Sequence, residues 1–418
     1  MLSPGRGLIY LGAESKLSNT LERILFIDQD ASGYYFPSKG GNMNFGFTEE
    51  QEILRKMAHD FLQKESPKTL VREMEEDATG FRADIWKKMA DLGWMGLIIP
   101  EEYNGSNCNF MDLVVLMEEI GRACLVSPLF STIICTFLLL EASNEEQKKE
   151  LLPRISAGEK IYALALTESS ATYNADGVAT RAVEEKDGYV INGAKLFVHD
   201  AQVADYFLCI TKTNPWSPPE GSITIFLVDA KSQGIKIIPL PTIADDKQNE
   251  VIFNKVIVPE GNMLGGLNAG WPALKKTLDK AAVAKCAEMI GGADWTIENC
   301  VDYVKERVQF DKPIGSFGII QHYLAEMWTE IGHAKRLVYH AAWLIDQGLP
   351  YAMEAAMANA RMSEVYRHWT RMGVQIFGGI GTTREHDMGL YYRRARQAIP
   401  LFGTPDSCKE KVAHELGL

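Results

Sequence analysis

The sequence predicts an α+β multidomain protein with an N-terminal helical domain, a small central β-domain and a C-terminal four-helix bundle. Three observations predict this order. Apolar residues recur at helical spacing before residue 160, alternate with polar residues from 161 to 262, and return to long helical patterns from 263 onward. The chain of 418 residues also exceeds the size at which one hydrophobic core stops growing. We therefore expect domains at residues 43–160, 161–262 and 263–418.

The N-terminal helical domain opens with a capping box, in which Thr48 is followed three residues later by Gln51. Apolar residues then recur at helical spacing, and further helices are predicted at residues 86–97, 111–120 and 143–155. The most apolar run, residues 125–140, is shorter than the roughly 20 residues that a membrane-spanning helix needs and contains Pro128. We therefore predict a buried helix there and no membrane span.

The β-domain is predicted from short runs of β-branched and aromatic residues separated by turn signals. One of these signals is Asp187-Gly188, which indicates a hairpin. The predicted strands are residues 180–183, 189–191, 206–211, 223–228, 235–238 and 250–258. After them, helices are predicted at residues 273–305, 319–347, 353–376 and 385–399, and four helices of this length suit a bundle.

Composition restricts the partners and the compartment. The net charge of −12, without a basic tract, argues against nucleic acid as the main partner. The seven cysteines are odd in number and form no C-x-x-C pair, which favours free thiols over disulfides or a metal site. Free thiols indicate a reducing compartment, so we expect a cytoplasmic protein.

Residues 1–42 mix Gly, Ser and polar residues with scattered apolar ones. Lys39-Gly40-Gly41-Asn42 can be encoded by a purine-rich sequence that resembles a ribosome-binding site ahead of Met43. We therefore expect translation to start at Met43 and residues 1–42 to be extraneous or disordered. A secretory signal is disfavoured because the apolar stretch after Arg6 is too short.

Seven motifs occur in a fixed order along the chain. They are IIPEEYNG (98–105), MEEIGR (117–122), ALTES (165–169), NGAKLFVHDAQVAD (192–205), ERVQFDKPIGSF (306–317), LAEM (324–327) and GVQIFGGIGTTREHDMGLYYRRARQAIPLFGT (373–404). Together they resemble the flavin-dependent acyl-CoA dehydrogenases, from residue 45 to residue 418. The resemblance implies the same helix, sheet, helix architecture. It also implies an oxidoreductase that removes an α-proton from an acyl-CoA thioester and passes a β-hydride to FAD.

The resemblance further implies which residues hold FAD, between the β-domain and the C-terminal bundle, with contacts from a neighbouring subunit. Thr167 matches the threonine at the flavin pyrimidine edge. Phe197 stands where the family usually has a tryptophan against the isoalloxazine, and His199 where a flavin-contacting threonine is common. Thr404, the last residue of the C-terminal signature, is also assigned to the flavin site. Five residues match positions that reach the pyrophosphate and adenosine of the partner's flavin: Arg307, Phe310, Gln375, Gly378 and Gly379.

The catalytic base stays unassigned. The family's base is a carboxylate at one of two positions, and here Phe402 and Ala281 occupy them. Asp279 and Glu288 are near in sequence, but each is predicted to be a helix-surface or capping carboxylate. The loop at residues 167–177 is longer than the family's usual loop, so none of its hydroxyls is assigned to the flavin phosphate.

Three functions stay open from the sequence. The first is an acyl-CoA flavoenzyme that uses another base or runs a variant reaction such as a reduction. The second is a catalytically silent subunit beside an active dehydrogenase, as in the heteromeric steroid and ring-acid dehydrogenases that the C-terminal residues resemble. The third is a flavin-free assembly protein. We favour dehydrogenase activity in the complex; the resemblance implies an acyl-CoA substrate, a homo- or hetero-tetramer and an electron-transfer flavoprotein as acceptor.

Overall fold

A computed structural model describes residues 46–186 and 188–418 of the chain. Helices, a mixed sheet and a second group of helices follow one another, which confirms the predicted architecture. The predicted tail at residues 1–42, the start at Met43 and Asp187 of the hairpin signal lie outside the described residues. Within that described part, none of the helices combines the length and apolarity that crossing a bilayer requires.

Six helices precede the sheet in the described residues. They are α1 (Glu49–Glu65), α2 (Lys68–Glu76), α3 (Ala83–Asp91), α4 (Phe110–Ala123), α5 (Leu129–Ala142) and α6 (Glu145–Ser156). The capping box at the start of α1 is confirmed, because Thr48 Oγ1 accepts the Gln51 N–H at 3.3 Å and Gln51 Oε1 accepts the Thr48 N–H at 3.0 Å. Helix α5 is the apolar run, and its side chains are mostly buried, as predicted.

The helix ends differ from the predicted ones by one to six residues, and α2 was not predicted. Helix α3 ends at Asp91 rather than at residue 97, because Gly93 leaves the helical path with a φ of +78°. Helix α6 begins at Glu145 rather than at residue 143, because Asn144 caps it: Asn144 Oδ1 accepts the N–H of Gln147 at 2.9 Å.

An eight-stranded sheet forms the central domain. Its strands are β1 (Tyr162–Ala165), β2 (Arg181–Glu185), β3 (Gly188–His199), β4 (Tyr206–Lys212), β5 (Ile223–Asp229), β6 (Ile235–Leu240), β7 (Gln248–Val258) and β8 (Met263–Leu264). They are arranged β6-β7-β3-β2-β4-β5-β8, with β1 parallel to β4. Alternate β4 residues separate the two faces: Phe207 lies in the core of the sheet, whereas Leu208 packs in the core shared with the helices.

Five helices follow the sheet: α7 (Trp271–Glu306), α8 (Gly318–Asp346), α9 (Ala352–Phe377), α10 (Met388–Ala398) and α11 (Pro405–Glu415). A short hairpin of β9 (Val308–Gln309) and β10 (Lys312–Pro313) joins α7 to α8. The prediction of four long helices missed α11. Thr404 caps this helix, with its Oγ1 accepting the N–H of Ser407 at 3.2 Å, and Pro405 suits its first turn.

Helices α4 and α7 approach each other backbone to backbone. A Cβ atom added to Gly291 of α7 would lie 1.7 Å from the carbonyl oxygen of Glu118 on α4. One added to Gly121 of α4 would lie 1.8 Å from the carbonyl oxygen of Glu288 on α7. Only glycine permits this approach, which brings the central turns of α7 against the N-terminal domain.

Candidate functional site

Thr167 and Phe197 lie side by side where β1 ends against β3. The carbonyl oxygen of Thr167 accepts the N–H of Leu196 at 2.8 Å. The pairing of β3 with β7 shifts register between Lys195 and Val198, and Phe197 has a φ of +55°. This irregularity turns the Phe197 ring outward, and 47% of the residue is exposed. An exposed ring beside Thr167 is suited to stack against a planar ligand.

A buried ion pair fixes the segment that carries Thr167. Lys195 Nζ lies 2.7 Å from Glu168 Oε1 and donates to the carbonyl of Leu166 at 3.1 Å. The other interactions of Glu168 are with the backbone N–H groups of Ala179 and Thr180, each at 3.0 Å. Burial alone would raise the pKa of Glu168, but Lys195 and these N–H groups lower it, so the carboxylate is ionised.

Phe402 lies in an aromatic cluster with Phe130 and Tyr173. Its ring centroid is 6.1 Å from that of Phe130 and 5.7 Å from that of Tyr173. Burial raises the pKa of Tyr173 above its ordinary value. The nearby backbone N–H of Phe402 and the side chain of Thr167 oppose that rise without cancelling it. Tyr173 therefore carries its proton at neutral pH.

Both expected base positions lack a proton acceptor. Phe402 presents a hydrocarbon ring, and Ala281 on α7 is fully buried. Asp279, expected at a helix surface, is 8% exposed and forms an ion pair with Lys411 of α11. The prediction of a surface carboxylate at Asp279 was wrong because α11, which covers it, was not predicted.

Behind Phe130 lies a cavity of about 80 Å³, here named the charged pocket. Its lining includes Phe130, Asp200, Asp246, Lys285, Glu288 and Arg394. Lys285 lies on α7, one turn beyond Ala281, and its Nζ is 5.1 Å from the centre of the Phe130 ring. The sequence gives no sign of this pocket, because its members come from different domains and each alone is typical of a solvated side chain.

His199 also lines the charged pocket. Its Nδ1 lies 3.7 Å from Asp246 Oδ2. Burial lowers the pKa of His199 more than Asp246 raises it, so the imidazole is neutral near pH 7. His199 was expected to contact flavin because of its place in the motif; in the structure its neighbours are the pocket's ionisable groups.

The remaining predicted cofactor residues form a second group at the far ends of α7 and α9. The ring centroids of Tyr303 on α7 and Phe377 on α9 are 4.5 Å apart and hold these ends together. The group consists of Arg307, Phe310, Gln375, Gly378 and Gly379, all exposed. The helix between Lys285 and Arg307 is about 33 Å long, so the group is remote from Thr167, Phe197, His199 and Thr404.

The residues present fit FAD when two chains share its contacts. Phe197 offers an open ring face, and Cβ atoms added at Gly378 and Gly379 would have no atom within 4 Å, which leaves room for a dinucleotide against the backbone. Within the described residues, Arg307 has neither a side-chain hydrogen bond nor an ion pair, so its guanidinium is free for a phosphate. No group of three or more potential metal ligands occurs in residues 46–186 and 188–418.

Comparison with known proteins decides the family. Models of the acyl-CoA dehydrogenase N-terminal, middle and C-terminal domains match residues 48–159, 163–256 and 268–417. The chain belongs to the acyl-CoA dehydrogenase family. Members of this family are FAD flavoproteins, and the chain is an oxidoreductase acting on CH–CH bonds. The prediction made from the seven motifs is confirmed.

Three similar proteins illustrate the range of the family. The 3-(aryl)acrylate reductase of Clostridium sporogenes is 34% identical over 88% of this chain and 99% of its own length. The caffeyl-CoA reductase-Etf complex subunit CarC of Acetobacterium woodii is 35% identical, covering 84% of this chain and 93% of its own. The structure of butyryl-CoA dehydrogenase from Megasphaera elsdenii superimposes with a TM-score of 0.84 at 29% identity, over 90% of this chain and 100% of that one.

Proposed function

We propose that the chain catalyses flavin-dependent oxidoreduction across the Cα–Cβ bond of an acyl-CoA, and that Tyr173 moves the Cα proton in place of a carboxylate. One observation carries this proposal: the ring centroid of Tyr173 lies 5.7 Å from that of Phe402, the residue at the usual base position. FAD, when bound, supplies or accepts the hydride at Cβ. Thr167, Phe197 and Thr404 in one chain, and Arg307 with its neighbours in another, would hold it.

The protonation state of Tyr173 favours the reducing direction. In that direction an enoyl-CoA gains a hydride at Cβ and a proton at Cα, and the tyrosine O–H bond breaks to supply the proton. The backbone N–H of Phe402 and the side chain of Thr167 lower the pKa of Tyr173, so they favour the tyrosinate until solvent reprotonates it. Oxidation would require a tyrosinate, which is scarce at neutral pH because burial raises the pKa of Tyr173. Two of the similar proteins described above are named reductases, which supports this direction.

Replacing Tyr173 by Phe tests the proposal. We expect the rate at which an enoyl-CoA reoxidises the reduced flavin to fall by about 100- to 10,000-fold, the usual contribution of a general acid. The matched control is Tyr351→Phe, since the Tyr351 hydroxyl contacts the backbone carbonyl of Lys276 and its ring is not part of the aromatic cluster around Phe402. Deuterium from D₂O should enter the product at Cα with the unmodified protein. An unchanged rate in Tyr173→Phe would contradict the role of this tyrosine.

A second candidate is the catalytically silent subunit, and the same loop favours it. Because the Thr167 side chain lies near the Tyr173 hydroxyl, it is less available to a flavin of its own chain. In this case the chain would contribute the group around Arg307 to the flavin of a partner, in a homo- or hetero-tetramer. Tyr173→Phe would then leave the rate of the complex unchanged, while substitutions at Arg307 would not.

Replacing Arg307 by Ala should weaken FAD retention in the assembled protein. A charge-assisted hydrogen bond contributes about 1.5–3 kcal/mol, so we expect roughly 10- to 100-fold weaker binding of FAD. The flavin absorbance that remains with the protein after gel filtration measures it. Arg336→Ala is the control, because Arg336 is exposed on α8 and donates to Gly332 of its own helix. Equal retention in both variants would reject the shared site.

We also propose an electron-transfer flavoprotein as the redox partner and the cytoplasm as the compartment. The relative from Acetobacterium woodii is named as a subunit of a reductase-Etf complex, which supports the first. All seven cysteines are free and six of them are buried, which supports a reducing environment. Co-purification with the flavoprotein, and fractionation of cells that express the native gene, test these two statements.

A further inference from the structure

We propose that the acyl-CoA bound by this chain carries a hydroxyl group, which the charged pocket behind Phe130 recognises. This inference rests on the proposed function and specifies its substrate class. Three observations support the inference: the position of the pocket, the ionisable groups that line it, and the ion pairs and hydrogen bonds among those groups.

The pocket adjoins the aromatic cluster beside which the thioester would react. Phe402 stands at the base position, so the reacting carbons belong beside it. Phe130 contacts Phe402, lies against Lys285 and also lines the charged pocket. A chain that extends past Phe402 and Phe130 therefore enters the pocket. Its volume of about 80 Å³ leaves room for about five water-sized groups.

The pocket combines apolar side chains, such as Met117, Ile120 and Leu129, with charged ones, so a chain that is hydrocarbon to its end would not match all of it. Its lining contains five acidic and three basic side chains, at Glu75, Asp200, Asp245, Asp246 and Glu288 and at Lys247, Lys285 and Arg394. An apolar chain would remove water from these groups without replacing its hydrogen bonds. Each polar group left unsatisfied in this way costs about 1–3 kcal/mol.

The internal pairing leaves one prominent donor unused. Lys285 Nζ is bound to both oxygens of Glu288, at 2.8 and 2.9 Å. Arg394, in contrast, reaches Glu75 only at 3.7 Å, and its Nε has no hydrogen-bond partner in the described part of the chain. Glu75 Oε2 is held by Arg393 at 2.6 Å, and Glu75 Oε1, the atom nearest Arg394, has no hydrogen-bond partner in the described residues. The Arg394 guanidinium can therefore donate to an oxygen atom of a ligand.

The pocket also contains hydrogen-bond acceptors, to which a hydroxyl group of the ligand can donate. Asp200 uses one oxygen to accept from Ser131 at 2.6 Å, which leaves its other oxygen for a ligand, whereas Asp246 already accepts from Thr242, Gln248 and Gln397. A hydroxyl can accept from Arg394 and donate to the Asp200 carboxylate at the same time. A terminal carboxylate would add a negative charge beside Asp200 and Glu288, and an ammonium would add a positive charge beside Arg394. The neutral group that both donates and accepts is the best match.

The experiment compares matched CoA esters on the FAD-loaded complex. Isothermal titration calorimetry is run with saturated straight-chain esters from butyryl to octanoyl length, each unmodified or with an ω-hydroxyl, ω-carboxylate or ω-amino group. At the best length we expect the ω-hydroxy ester to bind at least about tenfold more tightly than the unmodified ester, as one hydrogen bond to a charged group implies. A smaller preference at every length, or tighter binding of the charged esters, overturns the proposal.

Variants locate the preference in the pocket. Arg394→Met should abolish the hydroxyl preference without weakening the unmodified ester. Because that variant could fail to fold, the double variant Lys285→Met/Glu288→Met removes a whole ion pair and should also change the preference. Arg393→Met is the control; Arg393 pairs with Glu75 and Asp245 but does not line the pocket, so the preference should persist. A preference that survives both pocket variants overturns the assignment.

A failure of the proposed substrate class can be distinguished from a failure of the proposed reaction. Electron exchange between enoyl-CoA and flavin without a hydroxyl preference would reject only the substrate class. A hydroxyl preference in binding without electron exchange would reject only the reaction.

Discussion

Replacing Lys195 by Met is expected to lower the free energy of unfolding by about 3–5 kcal/mol, because it leaves a buried carboxylate without its cation. Lys195 is fully buried and lies 2.7 Å from Glu168, which is 6% exposed. The backbone N–H groups that Glu168 also accepts cannot neutralise its charge. The midpoint of urea unfolding at unchanged slope measures the effect.

The control for this prediction is Lys87→Met. Lys87 and Asp91 form an ion pair of 3.3 Å, but their side chains are 76% and 65% exposed. Such pairs contribute at most about 1 kcal/mol. A loss no larger in Lys195→Met than in Lys87→Met would show that the buried pair does not stabilise the segment carrying Thr167.

The same pair gives the stability a defined pH dependence. The folded-state pKa of Glu168 is lowered, since Lys195 and backbone N–H groups outweigh the effect of burial. Its contribution to stability is therefore complete above the carboxyl's unfolded pKa and is lost as the pH falls through the folded value. In the Lys195→Met variant the pKa of Glu168 is no longer lowered by Lys195. The loss of stability on acidification should therefore be smaller in this variant than in the unmodified protein.

The sequence predicted the order of helices and strands because apolar periodicity is a local property. It also identified Phe402 and Ala281 as positions without a base. The role of Tyr173 could not be predicted from the sequence, because the loop at residues 167–177 differs in length from the family pattern. The neighbours of Tyr173, Thr167 and Phe402, are brought together only by folding. The one available signal was a tyrosine within that longer loop.

The charged pocket could not be predicted for a related reason. Asp200 follows a strand, Lys285 lies in the middle of α7 and Arg394 lies on α10, and each is ordinary in its own segment. Their proximity depends on the close crossing of α4 and α7 at Gly121 and Gly291 and on the docking of the sheet against both. Periodicity indicates which face of a helix is buried, but not which charged side chains from separate domains meet.

Replacing Phe402 by Glu should create the proton acceptor that the unmodified chain lacks. With a saturated acyl-CoA, we expect flavin reduction to become about 100- to 10,000-fold faster, as a positioned general base provides. The backbone φ of +60° at this position is equally unfavourable for Phe and for Glu, since neither is glycine. The substitution therefore adds no backbone strain. The introduced carboxyl would lie among Phe130 and Tyr173, so burial should raise its pKa and the gain should grow as the pH increases.

Phe402→Gln is the matched control, because it has the same shape as Glu but cannot accept the proton. Stopped-flow bleaching of the flavin, followed as a function of pH, compares the two variants. The Glu variant should show a rate that rises through one ionisation, and the Gln variant should stay slow throughout. If Glu and Gln give equal rates at every pH, the reacting Cα does not lie beside residue 402, and the assignment of Tyr173 as the proton donor fails with it, because that assignment depends on the contact between Tyr173 and Phe402.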